Sequence, residues 1–254
     1  MRLAGKVVMI TGAARRLGRA ITLALAEAGA DVVVHVHRTP DEEIEHFKST
    51  LAALGRRIVV IRADLSRPEA GVRVAQEVLT LTTRVDVLVN NAAVFFPSSF
   101  PELTVRLWQD ILHTNLTAAF TLSLTLGRVM QRYGGGKIIH LGDWSGQRPL
   151  PGYLPYCVSK GGIHVLTHAL AKALAPQVQV NEVALGPVLP PVAYGETARR
   201  ALAHQTPLKR LGKAEDVARV VRFLAETGEF VTGATYSVDG GWLASPAGGR
   251  GTAT

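Results

Sequence analysis

Short apolar runs recur along this chain, each followed by a stretch of helical periodicity, and this alternation constrains the fold most. Residues 6–11, 31–36, 57–63, 85–89, 137–141 and 178–183 are short runs rich in Val and Ile, with a seventh at 234–238. Most are apolar at successive positions rather than at every second one, as in strands buried on both faces. Between them lie helical stretches at 17–28, 41–54, 68–81, 104–132 and 214–225, and one that carries Tyr156 and Lys160 and ends near Pro176. Gly29, Gly55 and Gly134–Gly136 stand where helices should stop. Strand–helix alternation of this kind predicts an α/β domain, a doubly wound parallel sheet with helices on both faces. Residues 186–206 read as Pro-rich and irregular, then partly helical, and residues 245–254 as a flexible tail.

No linker or composition shift divides the 254 residues, so one domain spanning 1–254 is expected. The single cysteine, Cys157, excludes an intrachain disulfide and reads as a packing residue. No signal peptide and no apolar run of membrane-spanning length are visible, so a cytoplasmic location is expected and no membrane partner. The formal charge is +8, but Lys and Arg are scattered singly or in pairs, without interleaved aromatics. This predicts a surface that attracts anionic small molecules rather than nucleic acid. No bound metal is expected.

After the first strand the chain reads Thr11-Gly12-Ala13-Ala14-Arg15-Arg16-Leu17-Gly18. Gly12 permits a tight turn, Gly18 a close helix–sheet approach, and the helix N-terminus offers N–H groups to a phosphate. A dinucleotide is therefore expected at Gly12, Arg16, Leu17 and Gly18. The second strand ends in His35-Val36-His37-Arg38-Thr39. An NAD site normally places an acid there for the ribose diol; His37, Arg38 and Thr39 instead suit a 2′-phosphate, favouring NADPH. The alternative for Arg38 is a solvated loop residue.

Tyr156 and Lys160 stand four apart and so share a helix face, and an ammonium beside a phenol lowers its pKa toward the range useful for proton transfer. Asp143 lies thirteen residues before Tyr156.

In order and spacing, these motifs resemble the short-chain dehydrogenase/reductase family over essentially the whole length. The resemblance rests on Thr11–Gly18, Asp64-Leu65, Asn90-Asn91-Ala92, Asn115, Tyr156-x-x-x-Lys160 and Asp239-Gly240-Gly241. It implies a Rossmann-type sheet of seven strands, a nicotinamide cofactor, and a dimer or tetramer on the long helices, with a homotetramer expected. It also implies catalytic Tyr156 and Lys160, with Asn115 holding a water chain to Lys160. By the same resemblance Asp64, Leu65, Asn91, Ala92, Tyr156, Lys160 and Gly186 join the cofactor residues.

The sequence departs from the family pattern at two places. Arg16 stands where the family has its middle Gly, and Asp143 where it has a catalytic Ser. Both changes resemble the pteridine reductase branch, as do the 35–39 segment, Phe95, and the Pro149-Leu150 and Gly152-Tyr153 pairs. The branch implies a pterin or folate substrate held by Arg16, Phe95, Asp143, Leu150 and Tyr156, with Phe95 or its neighbour Phe96 stacking on the ring. Where known members have a Ser, this chain has Ala93, and Leu185-Gly186-Pro187 replaces the usual Pro-Gly. The chemistry expected is reduction of a ring C=N bond, with Tyr156 as proton donor and Asp143 orienting or reprotonating it. Other readings are a keto-group reductase acting on an acyl or sugar-like substrate, a non-catalytic nucleotide-binding scaffold, and for Asp143 a turn cap without chemistry.

Overall fold

The computed structural model describes residues 2–191 and 194–245. Its sheet has seven parallel strands in the order β3-β2-β1-β4-β5-β6-β7. The strands are β1 (Val7–Ile10), β2 (Asp31–Val36), β3 (Ile58–Arg62), β4 (Val87–Asn90), β5 (Gly136–Asp143), β6 (Val178–Leu185) and β7 (Thr235–Val238). The helices are α1 (Arg16–Glu27), α2 (Asp41–Ala52), α3 (Ala70–Thr82), α4 (Val105–Leu112), α5 (Ala118–Arg132), α6 (Leu154–Leu174), α7 (Glu196–Gln205) and α8 (Ala214–Glu226). This is the single-domain, Rossmann-type fold expected from the sequence.

The continuous apolar runs follow from burial on both sides. Val8, Ile10, Val32 and Val34 face one core with Ile21 and Leu25 of α1, Phe47 of α2 and Val221 of α8. Met9, Val33, Leu88 and Ile138 face the other with Val74 of α3, Leu122 and Leu126 of α5 and Leu170 of α6. Each core removes large aliphatic side chains from water, the main favourable term in folding.

Two boundaries differ from expectation. The third helix begins at Ala70 rather than at residue 68, because Glu69 just before it is left-handed (φ 59°). The long helix expected over 104–132 is broken in hydrogen bonding: a π-helical turn, His113–Thr117, joins α4 to α5. Single π turns widen the helix by one residue and recur at functional sites; Asn115 sits in this one. The strand order reverses between β1, whose chain continues to β2 on one side, and β4 on the other. Ligands of such sheets bind in the crevice beyond the strand ends at that point.

Candidate active site

The crevice is a cleft of about 570 Å3, running from the ends of β1 and β2 past the Gly12–Gly18 turn to Ala92, Val94 and Phe96. Gly12 adopts φ 63°, in the left-handed region glycine tolerates. At Gly18 a Cβ would lie 2.0 Å from the Gly12 oxygen and 2.8 Å from Asn91 Nδ2, so only glycine lets α1 close on the turn. The turn is bolted to β4: Asn91 Nδ2 donates to Thr11 O at 2.8 Å, and the Asn91 and Ala92 amides both donate to Thr11 Oγ1 at 2.9 Å. His35, buried at the end of β2, holds the turn from the other side. Gly12 N–H donates to His35 Nδ1 at 3.2 Å, which places the ring proton on Nε2, donated to Ala63 O at 3.1 Å. Burial, opposed by the Ala63 bond and reinforced by His37, pulls the His35 pKa down to about 4, so the ring is neutral.

Of the residues assigned to the cofactor, Gly12, Arg16, Leu17, Gly18, His37, Arg38, Thr39, Asp64, Leu65, Asn91 and Ala92 all line this cleft. The geometry therefore fits a dinucleotide: a glycine cradle at a helix start, with His37 and Arg38 exposed at the far rim. Arg62 fixes that rim by donating to the carbonyls of His37 and Thr39 at 3.0 and 2.9 Å. Thr39 differs from expectation. It is only 7% exposed and its carbonyl is taken by Arg62, so it forms cleft floor more than a free hydroxyl donor. Gly186, Tyr156 and Lys160 lie outside the lining of this cleft. At Gly186 a Cβ would lie 2.3 Å from Asp239 Cα, so glycine there lets the end of β6 pack on the chain after β7. Sequence reasoning missed Arg15 and Ser66, both on the cleft wall. Arg15 forms a two-pronged pair with Glu43 of α2 at 2.5 and 2.7 Å.

Arg16 takes up a backbone conformation that explains the glycine usual there: its φ is 49°. A left-handed non-glycine residue costs about 1–2 kcal/mol. Its guanidinium crosses the cleft and donates to the carbonyls of Leu189 and Pro190. Arg16 thus bridges the phosphate turn and the segment after β6 rather than pointing only at a phosphate.

The residues expected to be catalytic gather at the C-terminal end of β5. Tyr156 Oη donates to Asp143 Oδ2 at 3.1 Å, while Asp143 Oδ1 accepts from Ser145 N at 2.8 Å. Asp143 thus caps the 3-10 turn Trp144–Gly146 with one oxygen and accepts from the tyrosine with the other. Gly146 lets this turn lie on α6, since a Cβ would come within 2.7 Å of Gly161 N. Lys160 is buried and donates to Leu141 O at 2.7 Å, with its Nζ 5.7 Å from the centre of the Tyr156 ring. Asn115 is locked by Val94, accepting from its N at 2.8 Å and donating to its O at 3.0 Å, and reaches Ser159 Oγ at 3.2 Å.

The electrostatics correct the sequence reading of Tyr156. Burial, and then the adjacent Asp143, hold its hydroxyl well above the ordinary range, so Lys160 does not turn it into a phenolate here. Burial also pushes the Asp143 carboxyl up, against the opposing bonds from Ser145 and the charge of Lys160. Burial pushes Lys160 down, against Asp143 and Glu182. The cluster is a neutral phenol on a carboxyl that holds a proton more readily than usual, beside a desolvated ammonium.

Phe95 packs flat against Tyr153 (4.2 Å between centroids, 7° between planes) and edge-on to Tyr156 (4.8 Å, 76°). Tyr153 therefore covers one face of Phe95, and Tyr156 packs beside it. Phe96 is exposed on the cleft wall instead. Leu150 is held by its backbone, its N–H directed at Cys157 Sγ at 3.2 Å, which gives the packing cysteine a structural task.

Comparison with known proteins agrees with this architecture. Residues 12–243 match the family model described as enoyl-(acyl carrier protein) reductase. A short-chain type dehydrogenase/reductase of Picea abies is 34% identical over 252 residues, covering 94% of this chain and 93% of its own. The 3-oxoacyl-(acyl-carrier-protein) reductase of Pseudomonas aeruginosa is 34% identical over 249 residues, covering 96% of this chain and 100% of its own. Among solved structures, a blue fluorescent protein from a metagenomic library in complex with NADPH superposes with a TM-score of 0.89 at 31% identity, covering 95% of this chain and 99% of its own. The family match and these relatives span nearly the whole chain, and the chain belongs to the short-chain dehydrogenase/reductase family of oxidoreductases.

Proposed function

We propose that the protein is an NADPH-dependent reductase of pterins or folates that adds hydride and proton across a ring C=N bond. The observation that carries this reading is Asp143 hydrogen-bonded to Tyr156 where the family pattern has a serine. Reduction of a ketone asks for a neutral donor at the carbonyl oxygen; reduction at a ring nitrogen asks for a proton relay, and a carboxyl with raised proton affinity is one. The aromatic wall of Phe95 and Tyr153 supports a flat heteroaromatic substrate.

Bound NADPH supplies the hydride. Lys160 would hold the nicotinamide ribose, Asn115 would hold a water chain to Lys160, and His37 and Arg38 would take the 2′-phosphate. Phe95 and Leu150 orient the ring, so that positioning supplies much of the rate. Tyr156 delivers its proton to the ring nitrogen and recovers one from Asp143, which takes it from solvent. Exposed Phe120 of α5 and Val158 and Val165 of α6 support assembly into a homotetramer on the long helices.

A second reading, reduction of a 3-oxoacyl thioester, is favoured by a separate observation: the names of curated relatives, including those of Pseudomonas aeruginosa and Synechocystis, at 34% and 31% identity. These names support a keto substrate more than a pterin. Consumption of NADPH with biopterin, dihydrobiopterin, dihydromonapterin, dihydrofolate and an acetoacetyl thioester separates the two. Turnover of at least one pterin or folate, with slow or no turnover of the thioester, is expected. Turnover of the thioester alone would replace the pterin reading by the keto one.

A further inference from the structure

Beneath α5 and α6 a row of polar side chains crosses four strands. Asn90 of β4 is in register with His140 of β5, His140 with Glu182 of β6, and Glu182 with Thr235 of β7. Partners in register point to the same face of a sheet, and Asn90, His140 and Glu182 are all buried. Ser123 of α5 and Thr167 of α6 satisfy the His140 ring at 3.2 and 2.9 Å. Glu182 is the one carboxylate in this row. It is 1% exposed, accepts from Thr235 Oγ1 at 2.8 Å and pairs with His164 Nδ1 at 2.9 Å.

Its other oxygen reaches the catalytic end of β5. A Cβ on Gly142 would lie 1.7 Å from Glu182 Oε1, so the missing side chain is the space this oxygen fills. The last three residues of β5 therefore meet three different groups. Leu141 O accepts from Lys160, Gly142 makes room for Glu182, and Asp143 accepts from Tyr156. On α6, Tyr156, Lys160 and His164 are spaced by four and share one face above this strand end.

We propose that Glu182 is a positioning residue for the reaction: it is the standing counter-charge that keeps the Lys160 ammonium protonated when Asp143 carries the relayed proton. This rests on the assignment of Lys160 and Asp143 above. Each time Asp143 is protonated, Lys160 loses one of its negative neighbours, and a buried ammonium without a counter-charge sheds its proton more readily. The charged and titratable groups about Lys160 are Asp143 and His140 from β5, Glu182 from β6 and Tyr156 from α6. Among the described residues, Glu182 is the one carboxylate about Lys160 outside the relay. His164, itself ring-to-ring with exposed His168 at 4.8 Å, and Thr235 fix its orientation.

The test needs no substrate, so its outcome is independent of the pterin reading. The side-chain resonance of Lys160 in lysine-labelled protein, assigned by its absence in Lys160→Met, is followed by NMR against pH. In Glu182→Gln the Lys160 midpoint should move to lower pH, and in Glu182→Asp it should return most of the way. Thr235→Val, which removes a hydrogen bond from the carboxylate and changes little volume, should give a smaller shift in the same direction and serves if Glu182→Gln does not fold. A Lys160 midpoint unchanged in folded Glu182→Gln, or in Thr235→Val where that variant stands in, would overturn the proposal.

Discussion

At the scale of single residues, the site is built from side chains that each satisfy two demands. Asp143 caps a turn with one oxygen and receives the tyrosine with the other. Arg16 accepts a strained backbone and uses its reach to hold the carbonyls of Leu189 and Pro190. Arg38, by contrast, stands exposed on the rim of the cleft. If it reads the 2′-phosphate, Arg38→Ala should weaken NADPH binding roughly tenfold or more and leave NADH binding nearly unchanged, because a charge-assisted bond contributes about 1.5–3 kcal/mol. Titration of both dinucleotides into both proteins checks this; equal losses for the two would remove Arg38 from phosphate recognition. The identity of such residues was legible in the sequence, because Arg38 and Asp143 stand at fixed offsets from recognisable motifs. What they touch was not. The Tyr156 hydroxyl seemed tuned by Lys160, but its proton affinity is governed by burial and by Asp143, and burial is a property of the packed chain.

At the scale of elements, strands and helices were legible because their apolar patterns are long and their stops are glycines. The π turn at His113–Thr117 was not, since widening a helix by one residue leaves no periodic mark over five positions. Gly186 shows a related limit: its close packing on Asp239 appears only in the fold, because a glycine needed for strand packing and one needed for a ligand look alike in a sequence. His35 shows the same limit. Its place in the 35–39 run was noticed, yet its bond to Gly12, which couples β2 to the glycine turn, spans 23 residues. That bond has a measurable consequence. A histidine whose folded pKa is depressed to about 4 from 6.5 binds its proton more readily when unfolded, so its contribution is full above pH 6.5 and is lost as pH falls toward 4. The loss amounts to roughly 3 kcal/mol. Urea unfolding between pH 7 and 4 should show stability falling with pH, and His35→Gln should flatten that slope. Identical slopes in both proteins would mean that His35 is not the coupled group.

At the scale of the molecule, the sheet does two things at once. Its apolar strands supply both cores, and the C-terminal ends of β1, β4 and β5 bring together groups that lie far apart in the chain: Thr11 with Asn91, and Leu141 with Lys160. A buried polar row, Asn90, His140 and Glu182, runs across β4, β5 and β6 beside the strand end that holds Asp143. The family is shown by a match across nearly the whole length, whereas in the proposed reading the choice of substrate rests on very few atoms, chiefly the carboxyl of Asp143. The most direct test compares kcat/KM for dihydrobiopterin and for an acetoacetyl thioester in the native protein and in Asp143→Ser. The expected result is a native preference for the pterin and a loss of pterin turnover of about 100-fold in the variant, the usual worth of a positioned proton-transfer group. Native preference for the thioester, or pterin turnover indifferent to the substitution, would contradict the account.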